Sequence, residues 1–470
     1  MFAQIVLPQA PLALDSTVVY GKLDNGFTYY IKHNAKPAQR ADFYIVTNVG
    51  AIQETPAQDG LAHFLEHMCF NGTKNFPDKG IISYMESIGA KFGENINAGT
   101  GVEMTSYMLN NIPVIRDGII DSSLLVLHDW SAFVTNDPKE IDNERGVILE
   151  EKRTRNTYQW RERNSAFEAL FKGSKYATCS LIGSEENLKT FKPEELVSFY
   201  KTWYRPDMQA IIVVGDVDVK SVENKIKTLF GQIPAAENPK AKDVILIPDN
   251  QDPIVSVFTD KEYPSTSVSV YFKSQPLPIE YRGLGLSALM DLYKGLISLM
   301  LNERFTDITT RPDAPFLSAG GGFATMCATM ECFYGEAQAK DGESLEAMKA
   351  LYVELERAKR FGFTQDEFDR AKTKLLRSYE RAAENASSRQ NGQIVNNYIE
   401  HFINGIPFTA PEYMYGVVKG YFDAGMVALD NVNRSYYPFK YGSAFERTAK
   451  RRSCKSNRRR VAWSHCCCQI

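Results

Sequence analysis

The chain lacks any long apolar run. Hydrophobic residues make up 44% of its 470 residues, yet no uninterrupted stretch reaches the roughly 18 residues of a transmembrane helix. A strong charge of one sign is also missing, since the net charge is only −3. Proteins that bind nucleic acid or membrane surfaces usually carry such a charge. We therefore expect a globular protein with no transmembrane segment and no nucleic-acid partner.

The eight cysteines include no CxxC pair, which argues against a zinc ribbon. Four are scattered through the chain and four crowd its last residues, which argues against a disulfide framework. The start has no basic region of the kind that begins a complete signal peptide. The opening letters "MFAQ" nevertheless resemble the end of one. We interpret residues 1–13 as an N-terminal extension and expect a location in the bacterial periplasm or cell envelope, with the cytoplasm as the alternative.

Two segments that mix strands and helices account for most of the chain. The first, residues 14–235, contains "GKLDNGFTYYIKHN", which predicts two strands around an Asn-Gly turn. Further on, "NAGTGVEMTSYMLN" predicts a single strand. A Pro- and Lys-rich linker follows at residues 236–252. In the second segment, residues 253–435, "SAGGGFATMCATMECFYGEAQA" predicts strands around a glycine turn. This mixture is typical of an α+β fold.

The two segments follow the same order of strand, long helix, strand and paired helices, which predicts a duplicated domain. The helix "KEIDNERGVILEE" corresponds to "DEFDRAKTKLLRS", where Ala371 and Ser378 replace Glu144 and Glu151. The second copy has no HxxEH either, so we expect no metal site there. Residues 436–470 are basic and cysteine-rich and break the pattern. We interpret them as a frameshifted or misassembled end without the domain's final strand, with a nucleic-acid-binding tail as the alternative.

A possible metal site lies in "GLAHFLEHMCF", where His63 and His67 are four residues apart. On a helix this spacing puts both imidazoles on one face, as a shared Zn²⁺ requires. Glu66 lies on the same face and is a candidate general base for a zinc-bound water. The alternative is an amphipathic helix whose histidines are merely polar neighbours.

A third ligand is required, because a catalytic zinc usually has three protein ligands and a water. The helix "IDNERGVILEEKR" offers Glu144 and Glu151, which are seven residues apart and share one face, whereas Glu150 points elsewhere. Geometry leaves both open. Either could bind the metal while the other accepts a hydrogen bond from a ligating imidazole.

The segments "GLAHFLEHMCFNGTKNFP", "NAGTGVEMTSY" and "ERGVILEE" resemble the signatures of the inverzincins, specifically the M16 family of pitrilysin, insulin-degrading enzyme and mitochondrial processing peptidase. The resemblance runs from about Gly21 to Asn433 and is strongest to large bacterial M16 peptidases of the Bacteroides type. It implies two homologous sheet-plus-helix domains, the second without a metal site. It also implies one Zn²⁺ per chain, bound by His63, His67 and Glu151, with Glu66 as base and Glu144 supporting a ligand.

The choice of the third ligand rests on a local pattern. Counting residues from the motif, as in much of the family, leads to Glu144, whereas the Glu-Arg pair followed by a glutamate seven residues on leads to Glu151. We prefer Glu151, because loops accept insertions and a ligand helix does not. The resemblance further implies that Asn97 and Ala98 bind substrate backbone as an added strand, and that Phe70 lines a pocket. The alternatives are a turn residue at Asn97 and a core side chain at Phe70.

The sequence thus predicts a zinc endopeptidase or oligopeptidase that hydrolyses extended peptides or unfolded polypeptides. Family enzymes enclose substrate between two halves, and this chain resembles only the first. It has no match for the Arg/Tyr pair of the second half. The alternative is an incomplete half or a peptide-binding subunit that needs a partner half, from the same gene product or a separate chain.

Overall fold

The structure is a computed structural model that describes residues 8–435 and 442–449. The strands and helices of the first domain of this chain are β1 (Val18–Lys22), β2 (Thr28–His33), β3 (Arg40–Thr47), α1 (Leu61–Met68), α2 (Gly80–Ser87), β4 (Ile96–Thr100), β5 (Thr105–Pro113), α3 (Asp117–Ala132), α4 (Pro138–Arg155), α5 (Tyr158–Leu170), α6 (Glu185–Thr190), α7 (Pro193–Trp203), β6 (Gln209–Gly215) and α8 (Val219–Phe230). Those of the second domain are β7 (Val255–Asp260), β8 (Thr266–Ser274), α9 (Ile279–Arg282), α10 (Gly285–Thr309), β9 (Ser318–Cys327), β10 (Met330–Ala339), α11 (Ser344–Phe361), α12 (Gln365–Glu384), α13 (Asn391–Asn404), α14 (Pro411–Asp423), α15 (Leu429–Ser435) and β11 (Gly442–Ala449).

The first sheet has six strands in the order β1-β2-β6-β3-β5-β4. Strand β6 is buried along its whole length, as its continuous apolar sequence requires, and runs parallel to β2 and antiparallel to β3. The predicted hairpin at the Asn-Gly turn is confirmed, since β1 pairs antiparallel with β2. This sheet is the platform on which the candidate site is built.

The prediction of one strand in "NAGTGVEMTSYMLN" is wrong. The segment forms a hairpin in which β4 pairs with β5, and a backbone hydrogen bond of 2.8 Å from Gly101 to Met104 closes the turn. The alternation of side chains continues on both sides of this turn, so the pattern alone does not show it. The hairpin makes β4 the edge strand of the sheet.

The second sheet repeats the first, which confirms the duplication. Its order is β7-β11-β8-β10-β9. Strand β11 runs parallel to β7 and antiparallel to β8, as β6 does between β2 and β3. The expectation that the final strand is missing is therefore wrong, because β11 occupies the place that β6 has in the first sheet. The remainder of the predicted anomalous end, residues 450–470, lies outside the described residues, as do residues 436–441.

The turn between β9 and β10 also differs from the prediction. The strands are joined through Ala328 and Thr329, since Cys327 pairs with Met330. The glycines of "SAGGG" instead lie inside β9, where a Cβ at Gly321 would come within 2.6 Å of the Tyr334 carbonyl oxygen. These glycines permit a close approach of two backbones rather than a turn.

One helix of each domain packs against the sheet of the other domain. The helices α1, α3 and α8 pack on one face of the first sheet. Its other face is covered by α13, whose Tyr398 stacks on Tyr30 with ring centroids 5.4 Å apart. In return, α5 lies against β7, where Arg161 forms a 2.7 Å ion pair with Asp260. The two sheets thus share hydrophobic cores across the linker.

The segment between α8 and β7 contains no helix or strand. Its Ile245 and Ile247 pack on a hydrophobic cluster to which both domains contribute, while Val244 and Leu246 are exposed. Across residues 8–435 and 442–449, no helix combines the length and apolar character needed to cross a bilayer.

Candidate metal centre

Helix α1 forms because its apolar residues recur at helical spacing and are buried. Leu61, Leu65 and Met68 are fully buried, and the ring of Phe64 packs edge-on against Phe191 at 4.9 Å. The polar side of the helix faces α4. There the rings of the two motif histidines stand 4.8 Å apart. The packing of the apolar side therefore fixes the direction in which the histidines point.

His63 and His67 meet a carboxylate from α4. Nε2 of His63 lies 3.5 Å from Glu151 Oε1, and Nε2 of His67 lies 3.1 Å from Glu151 Oε2. One ligand atom from each of the three residues can be chosen so that all lie within 4.8 Å of one another. Tetrahedral zinc with bonds of about 2.0–2.1 Å separates its ligands by roughly 3.4 Å. The donor set and its spacing therefore fit zinc, and no second such group occurs among the described residues.

Glu144 contacts the other nitrogen of His67. Its Oε1 lies 2.8 Å from His67 Nδ1, and its Oε2 accepts a 2.6 Å hydrogen bond from Asn71 Nδ2. This arrangement holds a proton on Nδ1 at the Glu144 side and leaves Nε2, on the Glu151 side, as the nitrogen that a metal would take. In the described part of the chain, Nδ1 of His63 has no corresponding partner, so only one of the two imidazoles is oriented by a carboxylate.

The carboxylates also set the electrostatics of the cluster. Burial lowers the pKa of His67, but hydrogen bonds to Glu144 and Glu151, together with their charges, outweigh it and raise this pKa to about 9. Hydrogen bonds to His63 and His67 hold the pKa of Glu151 far below its ordinary value. Arg155, one turn further along α4, adds a 2.6 Å ion pair to Glu151. Glu151 is therefore held as an anion, the form that binds a metal cation.

Glu66 lies between the histidines and the edge strand. Its Oε2 accepts a 2.5 Å hydrogen bond from Oγ1 of Thr100, the last residue of β4. Glu66 is half-buried, so part of its side chain remains accessible. The candidate base is thus connected directly to the strand predicted to bind substrate.

The predicted substrate-binding residues occupy different environments. Asn97 is exposed on β4 and Ala98 half-buried, and Asn97 Oδ1 accepts a 2.9 Å hydrogen bond from the Ala98 amide. Because β4 pairs only with β5 in the described sheet, its other side is open for an added strand. Phe70 is only 9% exposed and packs against Trp130 and Phe92. The exposed ring at this point is Phe92, at 54%.

Sequence reasoning missed three side chains that support the site. Asn71 lies three residues beyond the end of α1, Arg155 follows Glu151 by one turn of α4, and Thr100 ends the "NAGT" segment. The spacing of four residues within a helix was a usable signal for Arg155. No local pattern indicates Thr100, because its contact with Glu66 depends on how β4 folds against α1.

Two histidines and a glutamate from neighbouring helices, with another glutamate beside them, define a zinc-hydrolase type of centre. Comparison with known proteins agrees. Residues 29–175 match the insulinase family, peptidase family M16, and residues 190–375 match the peptidase M16 inactive domain. The chain belongs to peptidase family M16.

The chain is similar to several known proteins. The probable zinc protease PqqL of Escherichia coli K12 is 27% identical over 425 residues, which is 89% of this chain and 45% of that protein. A zinc protease PQQL-like protein of Arabidopsis thaliana is 28% identical over 399 residues, 84% of this chain and 38% of that protein. The crystal structure of the first half of periplasmic PqqL superposes with a TM-score of 0.86 at 23% identity, covering 97% of this chain and 95% of that one. The chain spans less than half the length of the two full-length relatives.

Proposed function

We propose that this chain carries the catalytic site of a zinc-dependent endopeptidase or oligopeptidase. The observation that carries the proposal is the convergence of His63, His67 and Glu151 with Glu66 beside them. One zinc ion at these three ligands would polarise the scissile carbonyl and activate a water molecule. Its membership of family M16 supports the same reaction.

In this proposal the residues of the chain have separate tasks. Glu66 takes the proton of the attacking water and passes it to the departing amine. Thr100 occupies Oε2 of Glu66, so the other carboxylate oxygen is available for the proton. Glu144 keeps His67 in the tautomer that offers Nε2. Arg155 stabilises the anionic form of Glu151.

The substrate we propose is an extended peptide or unfolded polypeptide. No strand pairs with the outer edge of β4 in the described sheet, so an extended chain can add there once the Ala98 amide exchanges its hydrogen bond with Asn97 Oδ1 for one with the substrate. Asn97 and Ala98 lie on that strand, and Thr100 at its end contacts Glu66. A peptide bound there runs past the metal ligands. Phe92, packed on Phe70, supplies the exposed apolar surface for a substrate side chain.

A second half is part of the proposal. The relatives are about twice as long as this chain, so we propose that a second M16 half completes the substrate enclosure. Because PqqL is described as a periplasmic protease, we propose the periplasm as the location. The alternative function is an incomplete half that binds peptide but cleaves only with its partner. This alternative is supported by the length of the relatives, because less than half of each is matched by this chain.

A Glu66→Gln variant tests the reaction. We expect its kcat/KM on an unstructured fluorogenic peptide to fall by about 10²–10⁴-fold, the usual contribution of a general base, with zinc content unchanged. The matched control is Glu150→Gln on α4, because Glu150 is exposed and its ion pair is with the exposed Arg153. Equal activity of the Glu66 variant and the wild type would refute the proposal. Cleavage that appears only after a separate second half is added would favour the alternative.

A further inference from the structure

A buried carboxylate lies at the start of the helix that carries the histidines. Glu54, in the loop before α1, is 5% exposed. Its Oε2 accepts a 2.9 Å hydrogen bond from the Gly60 amide, and its Oε1 accepts a 2.7 Å hydrogen bond from the Ala62 amide. These two amides belong to the first turn of α1, whose N-cap residue, Gly60, has no side chain to cap it. Glu54 therefore caps α1 from outside the helix.

The position of Glu54 is itself held by other contacts. Lys175 Nζ donates to the carbonyl oxygens of Ile52 at 2.5 Å and Glu54 at 2.6 Å. Burial raises the pKa of Glu54 to about 8, while the two backbone donors oppose that rise. Burying a carboxyl group is unfavourable unless its oxygens are satisfied. The fold keeps this group buried, and it is the backbone of α1 that satisfies it.

The start of α1 packs against a second loop, formed by residues 182–184. A Cβ on Gly60 would lie 2.4 Å from the Ile182 carbonyl oxygen, and one on Gly183 would lie 2.4 Å from the Asp59 carbonyl oxygen. Both glycines have positive φ, at 90° and 83°. The Ser184 amide also donates to Asp59 Oδ2 at 2.7 Å. The first turn of α1 therefore packs closely against residues 182–184.

The same loop reaches the helix of the third ligand. Lys152 Nζ donates a hydrogen bond to the Gly183 carbonyl oxygen, and Lys152 directly follows Glu151 in α4. Residues 182–184 thus touch the start of α1 on one side and α4 next to Glu151 on the other. Through this loop, the place where α1 begins sets the separation between the motif histidines and Glu151.

We propose that Glu54 is a positioning residue for the metal centre. It fixes the first turn of α1 against residues 182–184 and so keeps His63 and His67 at the right distance from Glu151. Glu54 acts through the helix backbone and touches neither substrate nor metal. This inference rests on the proposed zinc-peptidase function.

The test compares Glu54→Gln with Asp42→Asn in the full chain. Asp42 is a matched control, since it is also 5% exposed and accepts a 2.6 Å backbone hydrogen bond, from Asn111, but it lies on β3. We expect both variants to lose some thermal stability. We expect only Glu54→Gln to weaken zinc binding, by about tenfold or more, to change the visible spectrum of the Co²⁺-substituted protein, and to lower kcat with KM nearly unchanged. Only this variant should also show faster amide exchange in residues 60–68.

The outcomes separate the two proposals. If Glu54→Gln remains folded with wild-type zinc affinity, Co²⁺ spectrum and amide exchange, the positioning role is refuted and the proposed function stands. If both variants weaken zinc binding equally, the effect is general destabilisation and the positioning role is likewise refuted. If the wild type binds no zinc, the proposed function fails, while amide exchange in α1 still decides whether Glu54 anchors the helix.

Discussion

His67 lies between two glutamates of α4, with Nδ1 2.8 Å from Glu144 and Nε2 3.1 Å from Glu151. The glutamates are seven residues apart, so they project from the same side of the helix two turns apart. One imidazole therefore meets both carboxylates at opposite nitrogens. Only the Glu151 side also faces His63, and this makes the two glutamates chemically different.

The two glutamates should respond differently to substitution. Glu151→Gln removes a proposed ligand charge and should abolish measurable zinc binding, whereas Glu144→Gln should weaken it about 10–100-fold, as loss of a partner to a ligating imidazole does. Isothermal titration calorimetry with zinc gives both affinities. Glu150→Gln, next to Glu151 but exposed, should bind zinc like the wild type. The reverse ranking of Glu144 and Glu151 would mean that Glu144 is the ligand.

Thr100 should affect the rate of the reaction more than substrate binding. Thr100→Val removes the hydrogen bond to Glu66, a contact of about 1.5–3 kcal/mol when one partner is charged. We expect kcat to fall about 10–100-fold with KM and Tm nearly unchanged. Thr100→Ser, which keeps the hydroxyl, should recover most of the rate. A rise in KM at constant kcat would instead place Thr100 among the substrate contacts.

Metal removal should destabilise the folded chain. A ligand that binds only the folded state adds about 4 kcal/mol at a concentration a thousand times its dissociation constant. Chelation should therefore lower Tm by several degrees, and added zinc should restore it, as differential scanning calorimetry would measure. His67→Ala removes a proposed ligand and should show no zinc-dependent change in Tm. A chelator-sensitive Tm in that variant would indicate a metal elsewhere.

Glu54 should make stability depend on pH. Its pKa is about 8 in the folded state, raised by burial, against an ordinary value of 4.5. Between these values the folded state binds more protons, so the contribution of Glu54 to the free energy of unfolding decreases as the pH rises from 4.5 to 8. In zinc-bound protein, Glu54→Gln should flatten this dependence in urea titrations at pH 5 to 8. Parallel curves for variant and wild type would contradict the raised pKa.

Helix α13 of the second domain should stabilise the first sheet, on which it packs. Tyr398 on α13 is 2% exposed and stacks on Tyr30, so Tyr398→Ala should lower the free energy of unfolding by about 3–5 kcal/mol. Phe361→Ala, at an 80% exposed ring, should change it by less than about 0.5 kcal/mol. A fragment of residues 14–235 would expose the covered face and should aggregate. A stable, monomeric fragment would show that α13 is dispensable.

Local patterns in the sequence predicted the elements that carry the site. The spacing of His63 and His67 predicted one helical face, and the spacing of Glu144 and Glu151 predicted another. Turns were less predictable, because a glycine serves equally in a turn or at a close backbone contact. "NAGTGVEM" was therefore predicted as one strand, and the turn at Ala328 was misplaced.

The final strand shows the same limit at longer range. β11 is central to the second sheet because it pairs with β7 and β8, far from it in the chain. The change in composition after Arg434 argued against a strand there. Pairing partners more than 150 residues away decided otherwise, as residue numbers alone show.

The sequence by itself determined the ligand types and their spacing along each helix, because helical geometry is set by the local chain. It also determined the family and the duplicated plan. Helix geometry left Glu144 and Glu151 open, and the sequence favoured Glu151 only through the family's local pattern. The tertiary structure places Glu151 beside Nε2 of both histidines, and this depends on the angle at which α1 meets α4. It likewise brought Thr100 to Glu66 and Glu54 to the start of α1. Each of these contacts joins two separate segments of the chain. Packing and backbone hydrogen bonds hold the segments together, and neither produces a repeating pattern in the sequence.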